Sequence, residues 1–157
     1  PSEKVIQAGE FVTMDFGCIY HGYCSDMTRT FVFGEPSEKL REVHDTVRRA
    51  NEAARKLVAP GVRFCDIDAA ARSIIEEAGY GSYFTHRLGH QIGLDVHEPG
   101  DVSAAHDAPV QAGMVFSIEP GIYLPGEFGV RIEDLVLVTE DGCEVLNSYP
   151  RELVSIG

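Results

Sequence analysis

The chain has 157 residues, of which 44% are hydrophobic and 24% charged, and a formal net charge of -12. This composition fits a soluble globular domain with an ordinary core and excludes wholesale disorder. The acidic excess argues against a nucleic-acid or anionic-membrane surface, either of which needs clustered Lys and Arg. No apolar run approaches the roughly 20 residues of a membrane span, and no basic stretch precedes an apolar segment near the N-terminus, so a cytoplasmic location is expected.

Cys18, Cys24, Cys65 and Cys143 are scattered without a C-x-x-C pair, which reads as reduced thiols, with a Cys18 to Cys24 bridge left open. The chain opens at Pro1 without an initiator Met and is expected to be a fragment.

In chain order, residues 10–20 and 27–33 are rich in aromatic and β-branched side chains, and His21-Gly22 supplies a turn between them, so a β-hairpin is predicted. Gly34 to Ser37 breaks the second strand. From Glu38 to Ala59 the apolar residues Leu40, Val43, Val47, Ala50, Ala54 and Leu57 recur at spacings of three and four, predicting a helix capped by Ser37 and stopped by Pro60-Gly61. A second helix is predicted over Asp66 to Ala78, with Gly79 as its stop. Strands are expected at Thr85 to Gly93, Met114 to Tyr123, Val130 to Thr139 and Glu144 to Val145. Pro99-Gly100, Pro125-Gly126 and Asp141-Gly142 act as breakers between them. Without repeats or linkers, residues 1–157 are expected to form one α+β domain, a strongly curved antiparallel sheet with helices on one face.

Asp15 and Asp26 lie symmetrically about a turn at residues 20 and 21, which predicts directly opposed carboxylates roughly 4.5–5.5 Å apart at Cβ. Such a pair repels itself unless one member is protonated or a cation sits between them. Met14, Phe16, Met27 and Phe31 suggest a partly buried setting for it. Glu119 and Glu133 fall in strand-like segments where acids are disfavoured. Glu133 has a plainer reading as the partner of Arg131 on the same strand face. His86, His90 and His97 lie within twelve positions among glycines, whereas His21, His44 and His106 have no comparable context. Four carboxylates and one imidazole would make an oxygen-rich site for two divalent ions such as Mn²⁺, Co²⁺ or Zn²⁺.

The segments around Met14-Asp15-Phe16-Gly17, Ser25-Asp26-Met27-Thr28-Arg29-Thr30, Gly89-His90 to His97-Glu98, Ile118-Glu119-Pro120-Gly121-Ile122-Tyr123 and Val130-Arg131-Ile132-Glu133-Asp134 resemble the metal motifs of the pita-bread metallopeptidases. Their order and spacing are most similar to the Xaa-Pro branch, prolidase and aminopeptidase P. The resemblance implies a C-terminal catalytic portion in which Asp15 chelates one metal, Asp26 and Glu133 bridge both, and His90 and Glu119 complete the other. It implies that Glu119 shuttles a proton, that His86 and His97 contact the substrate or intermediate, and that Arg131 and Tyr123 support or touch the substrate.

The implied activity is hydrolysis of the bond between an N-terminal residue and proline, with Mn²⁺ as the expected metal and a homodimer as the expected assembly. This sequence has Gln91 where the resembled motif has Gly, which predicts a narrower or more polar floor beside His90. The resembled proteins carry a further histidine and helices upstream of the point where this chain opens, so these 157 residues alone are expected to turn over weakly or not at all. A catalytically silent binding module and a creatinase-type hydrolase are the competing readings. The intact carboxylates speak against both.

Overall fold

A computed structural model describes residues 3–157. The first strand, β1 (Phe11–Phe16), pairs antiparallel with β4 (Met27–Phe33), and the short strands β2 (Ile19–Tyr20) and β3 (Tyr23–Cys24) extend the same hairpin to its tip. His21 and Gly22 both take positive φ, 49° and 89°, so the turn sits where the sequence predicts it. Its register differs from the expectation. Asp15 faces Thr28, and Ile19 faces Cys24, which places the turn centre between residues 21 and 22 and leaves Gly17, not Asp15, across from Asp26. The ladder is interrupted at that point. A Cβ on Gly17 would lie 1.9 Å from the Ser25 carbonyl oxygen, so only glycine permits this closeness. The expected burial of this hairpin is also corrected, because Met14 and Phe16 are exposed.

Helix α1 (Glu38–Leu57) starts at Ser37, whose hydroxyl accepts from the Leu40 N–H at 3.3 Å. It ends two residues before the expected boundary, since Pro60 disfavours helical backbone at the residue before it. Helix α2 (Phe64–Glu77) begins two residues early. Arg63, at its N-cap, bonds Asp66 in the first turn, an ion pair standing where a side-chain cap would. The two helices bury Val43, Val47, Ala50, Ala54, Ile67, Ala71 and Ile75 against the sheet residues Phe116, Ile118 and Val136 and against Ile132 between strands.

The remaining strands are β5 (Gly89–Gln91), β6 (Glu98–Val102), β7 (Val115–Ile118), β8 (Gly121–Leu124), β9 (Phe128–Arg131), β10 (Asp134–Val138), β11 (Cys143–Val145) and β12 (Ser155–Ile156). They do not make one continuous curved sheet. A five-stranded antiparallel sheet has the order β11-β10-β7-β5-β6, a three-stranded sheet has β1-β4-β12 with β12 parallel to β4, and β8-β9 is a separate hairpin. Each of the two long predicted strands is cut in two, at Glu119-Pro120 and at Ile132-Glu133. The expected strand over Thr85 to Gly93 shrinks to three residues. Pro99-Gly100, expected as a breaker, lies inside β6, where Gly100 takes a φ of +125° beside a register shift at His90 and Gln91.

The two cuts share one geometry. Ile118 faces Asp134 in β7-β10 and Gly121 faces Arg131 in β8-β9, so both ladders follow a single register, and Glu119 and Glu133 oppose each other at the interruption. The backbone there turns to other partners: the Glu119 N–H donates to Leu88 at 2.8 Å and the Glu133 N–H to Thr28 at 3.0 Å. The opposed carboxylates of this fold are therefore Glu119 and Glu133, while Asp15 and Asp26 are offset.

Candidate metal centre

Asp15, Asp26, His90, Glu119 and Glu133, the five ligand candidates, line one cleft of about 420 Å³, together with Cys18 and His97. Asp26, His90 and Glu133 form its tight centre, each offering a ligand atom within 4.8 Å of the others. His90 Nδ1 bonds the Gln91 carbonyl at 3.1 Å, which leaves Nε2 facing Glu119 Oε1 at 3.5 Å and Asp26 Oδ2 at 3.7 Å. With Nδ1 as donor, Nε2 is the ring nitrogen left facing two carboxylates, an arrangement that a cation between them relieves.

The electrostatics agree. Burial, with Glu119 and Asp26 nearby, pushes the Glu133 carboxyl up to about 8. Burial likewise raises Glu119 to about 7, and burial followed by the neighbouring Asp15 raises Asp26. Oxygen donors with one imidazole suit a hard or borderline divalent ion.

Asp15 stands apart from the tight group. Its carboxylate accepts a short hydrogen bond from Arg131 and is half exposed. Arg131 therefore pairs with Asp15, and the plainer reading of Glu133 as its partner is corrected, because the Thr28 hydroxyl stands between the two side chains and bonds both. Glu133 instead accepts from the Thr28 hydroxyl at 2.6 Å.

The other predicted contact residues form a chain beside the cleft. Arg131 donates to the Tyr123 hydroxyl at 3.0 Å, and that hydroxyl lies 3.1 Å from His86 Nε2, while His86 Nδ1 lies 2.7 Å from the Arg87 carbonyl. Burial lowers the His86 pKa, which fits a neutral ring with Nδ1 as donor and Nε2 as acceptor from Tyr123. Helix α2 fixes this end of the chain. Asp68 orients Arg72, which donates to the carbonyls of Phe84 and His86, both at 3.1 Å. His97 is exposed at the rim with its ring 4.3 Å from that of His90.

Gln91 does not form the cleft floor. Its amide packs where a Cβ of Gly100 would stand, away from His90. The cysteines are free thiols, and Cys24 Sγ lies 3.5 Å from the Leu94 carbonyl rather than on Cys18.

Two hydroxyls escaped the sequence reading. Thr28 is fully buried and serves Glu133, and Ser117 accepts from the His90 N–H at 3.0 Å while donating to Glu119 at 3.1 Å. Alternation would have flagged Ser117, which lies two residues before Glu119 on the same strand.

A model of metallopeptidase family M24 matches residues 1–140. The chain belongs to metallopeptidase family M24. An uncharacterised peptidase of Staphylococcus epidermidis is 52% identical over 151 residues, covering 96% of this chain and 43% of the relative. A Xaa-Pro dipeptidase from Bacillus anthracis superposes with a TM-score of 0.96 at 47% identity, covering 99% of this chain and 44% of that one. An X-Pro aminopeptidase from Thermotoga maritima gives 0.96 at 46%, with the same coverage. The M24 chain thus has the pita-bread fold of these peptidases over less than half of their length.

Proposed function

We propose that this M24 chain is the catalytic portion of a peptidase that uses two divalent metal ions to hydrolyse the bond between an N-terminal residue and proline. The observation that carries the reading is the convergence of Asp26, His90 and Glu133 within 4.8 Å, with Glu119 and Asp15 lining the same cleft. The proline preference rests on the likeness to a Xaa-Pro dipeptidase and an X-Pro aminopeptidase. Mn²⁺ is the metal of choice, with Co²⁺ or Zn²⁺ as substitutes.

When bound, the ions acidify a water molecule and polarise the substrate carbonyl. Asp26, Glu133 and His90 would hold them, with Glu119 completing the set and Asp15 joining once it exchanges Arg131 for a cation. Glu119 is suited to accept a proton and pass it to the leaving nitrogen, because its carboxyl lines both the metal cleft and the adjoining groove. His97 lines the adjoining groove with His86, Tyr123 and Arg131, and is the imidazole suited to donate to the carbonyl oxygen as negative charge develops, while His86, with both ring nitrogens engaged, would hold Tyr123 in place.

Metal analysis of the full-length protein that contains this chain, combined with its hydrolysis of a Xaa-Pro dipeptide, a longer Xaa-Pro peptide and a peptide lacking proline, tests this. Chelation should abolish turnover, Mn²⁺ or Co²⁺ should restore it, and the peptide lacking proline should be cleaved far more slowly. Asp26→Ala should lose at least about 10³-fold in kcat/KM. Retained turnover in that variant would sink the reading.

A further inference from the structure

Asn51 lies in the middle of α1, is fully buried, and is a residue type that helix interiors do not favour. Its amide does not serve the helix. The Nδ2 group donates to the Ile118 carbonyl at 2.9 Å and to the Ile132 carbonyl at 3.4 Å, and Oδ1 accepts from Arg55 Nε at 2.7 Å.

Those carbonyls belong to the residues immediately before Glu119 and Glu133, on the two strands that part at the interruption. The amide has two N–H groups in a fixed planar fork, and one goes to each strand. Where the ladder of β7 and β10 stops, a side chain from the helix layer takes its place and spans both backbones. The separation of the two glutamates is then set by a rigid fork, and Arg55 keeps that fork from rotating. Arg55 is anchored in turn near the buried Asp134, 3.7 Å away, beside Glu133 in sequence.

We infer that Asn51 is a positioning residue of the metal centre: it fixes the distance between Glu119 and Glu133 by clamping the backbones that carry them. The inference rests on the metal-centre reading above. Asn51 touches neither substrate nor ion. It acts through the two peptide units, as groups behind a metal's ligands do when they orient those ligands.

The test compares the full chain with Asn51→Asp, which keeps the volume and the acceptor for Arg55 but removes the donor to both carbonyls. Val47→Ala, a core truncation one turn earlier on α1 with no polar contact to the strand breaks, controls for general destabilisation. Mn²⁺ affinity is measured by titration calorimetry, Tm of the metal-free protein by calorimetric scan, and coordination by the visible spectrum of the Co²⁺ form. Asn51→Asp should weaken Mn²⁺ binding by about tenfold or more and change the Co²⁺ band intensities. Val47→Ala should bind Mn²⁺ within about twofold of the parent and keep the parent's spectrum, even at an equal or larger loss of Tm.

An Asn51→Asp protein with the parent's affinity and spectrum would overturn the inference, as would a Val47→Ala protein that loses affinity in the same proportion. If Asn51→Asp does not accumulate in folded form, Asn51→Ala, which leaves room for water on the two carbonyls, carries the same comparison. A parent chain that binds no Mn²⁺ at all refutes the metal-centre reading instead, so the two failures are distinguishable.

Discussion

Thr28 shows how much the geometry of this cleft depends on groups buried behind its lining. Its hydroxyl donates to Glu133 at 2.6 Å and accepts from Arg131 Nε at 3.2 Å, linking the most deeply buried of the cleft carboxylates to the arginine that holds Asp15. A buried carboxylate deprived of a donor bears its desolvation cost alone. Thr28→Val keeps the shape and removes both bonds, so the metal-free protein should lose about 2 kcal/mol of stability at pH 9, where Glu133 is ionised. Urea midpoints read this directly, and an unchanged midpoint would show that the hydroxyl is dispensable. Which acids and histidines line the cleft was visible in the sequence through their placement in apolar, strand-like segments. What Thr28 and Arg131 do was not, because each acts on a residue about a hundred positions away, and sequence periodicity does not reach across such a separation.

At the scale of elements, the close approach of β5 to β7 sets where His90 points. Gly89 makes it feasible: a Cβ there would lie 1.9 Å from the Ser117 carbonyl oxygen and 2.9 Å from the Ser117 hydroxyl that bonds the His90 N–H. Since the obstacle is largely backbone, the strand has to shift. Gly89→Ala should cost at least about 3 kcal/mol, whereas Gly142→Ala, whose added methyl would meet only the Thr139 hydroxyl at 4.0 Å, should stay within about 0.5 kcal/mol. Chemical denaturation of the two variants side by side decides it, and equal costs would refute the steric argument.

The helices and the first hairpin were legible because three-and-four spacing and His21-Gly22 are local signals. The offset of Asp15 from Asp26 was not, since moving the turn centre from residue 20.5 to 21.5 shifts every opposed pair by two positions, and the sequence near His21 is compatible with either. The same arithmetic applied about Gly126 brings Glu119 and Glu133 face to face, the pairing that the structure has. Long apolar runs on either side of these glutamates concealed the strand breaks, because the interruption arises from partners in β4 and in the segment before β5 rather than from a breaker at Glu133 itself.

Across the whole molecule, stability depends on how firmly the helix layer seats on the three-stranded sheet, and one titratable group sits in that seam. His44 of α1 is 3% exposed, packs 6.3 Å from the Phe11 ring of β1, and has the Thr30 backbone of β4 as a hydrogen-bond partner. Burial lowers its pKa to about 4, while Asp45, the next largest influence, pulls in the opposite direction without restoring it. An unfolded chain has this imidazole near its ordinary value of about 6.5. Between those values the unfolded state binds the extra proton, so this contribution is complete above about pH 6.5 and is lost as the pH falls toward 4. Going from pH 7.5 to pH 5 should therefore remove about 2 kcal/mol through His44 alone. Other groups, the clustered carboxylates among them, titrate over the same interval, so the measurement that isolates His44 is a difference of differences. Unfolding free energies of the metal-free parent and of His44→Gln, each at pH 7.5 and pH 5, should show the variant losing about 2 kcal/mol less than the parent over that interval. Equal losses in the two proteins would mean that the folded seam accepts a charged imidazole, and that the helix layer is less tightly seated there than its burial implies.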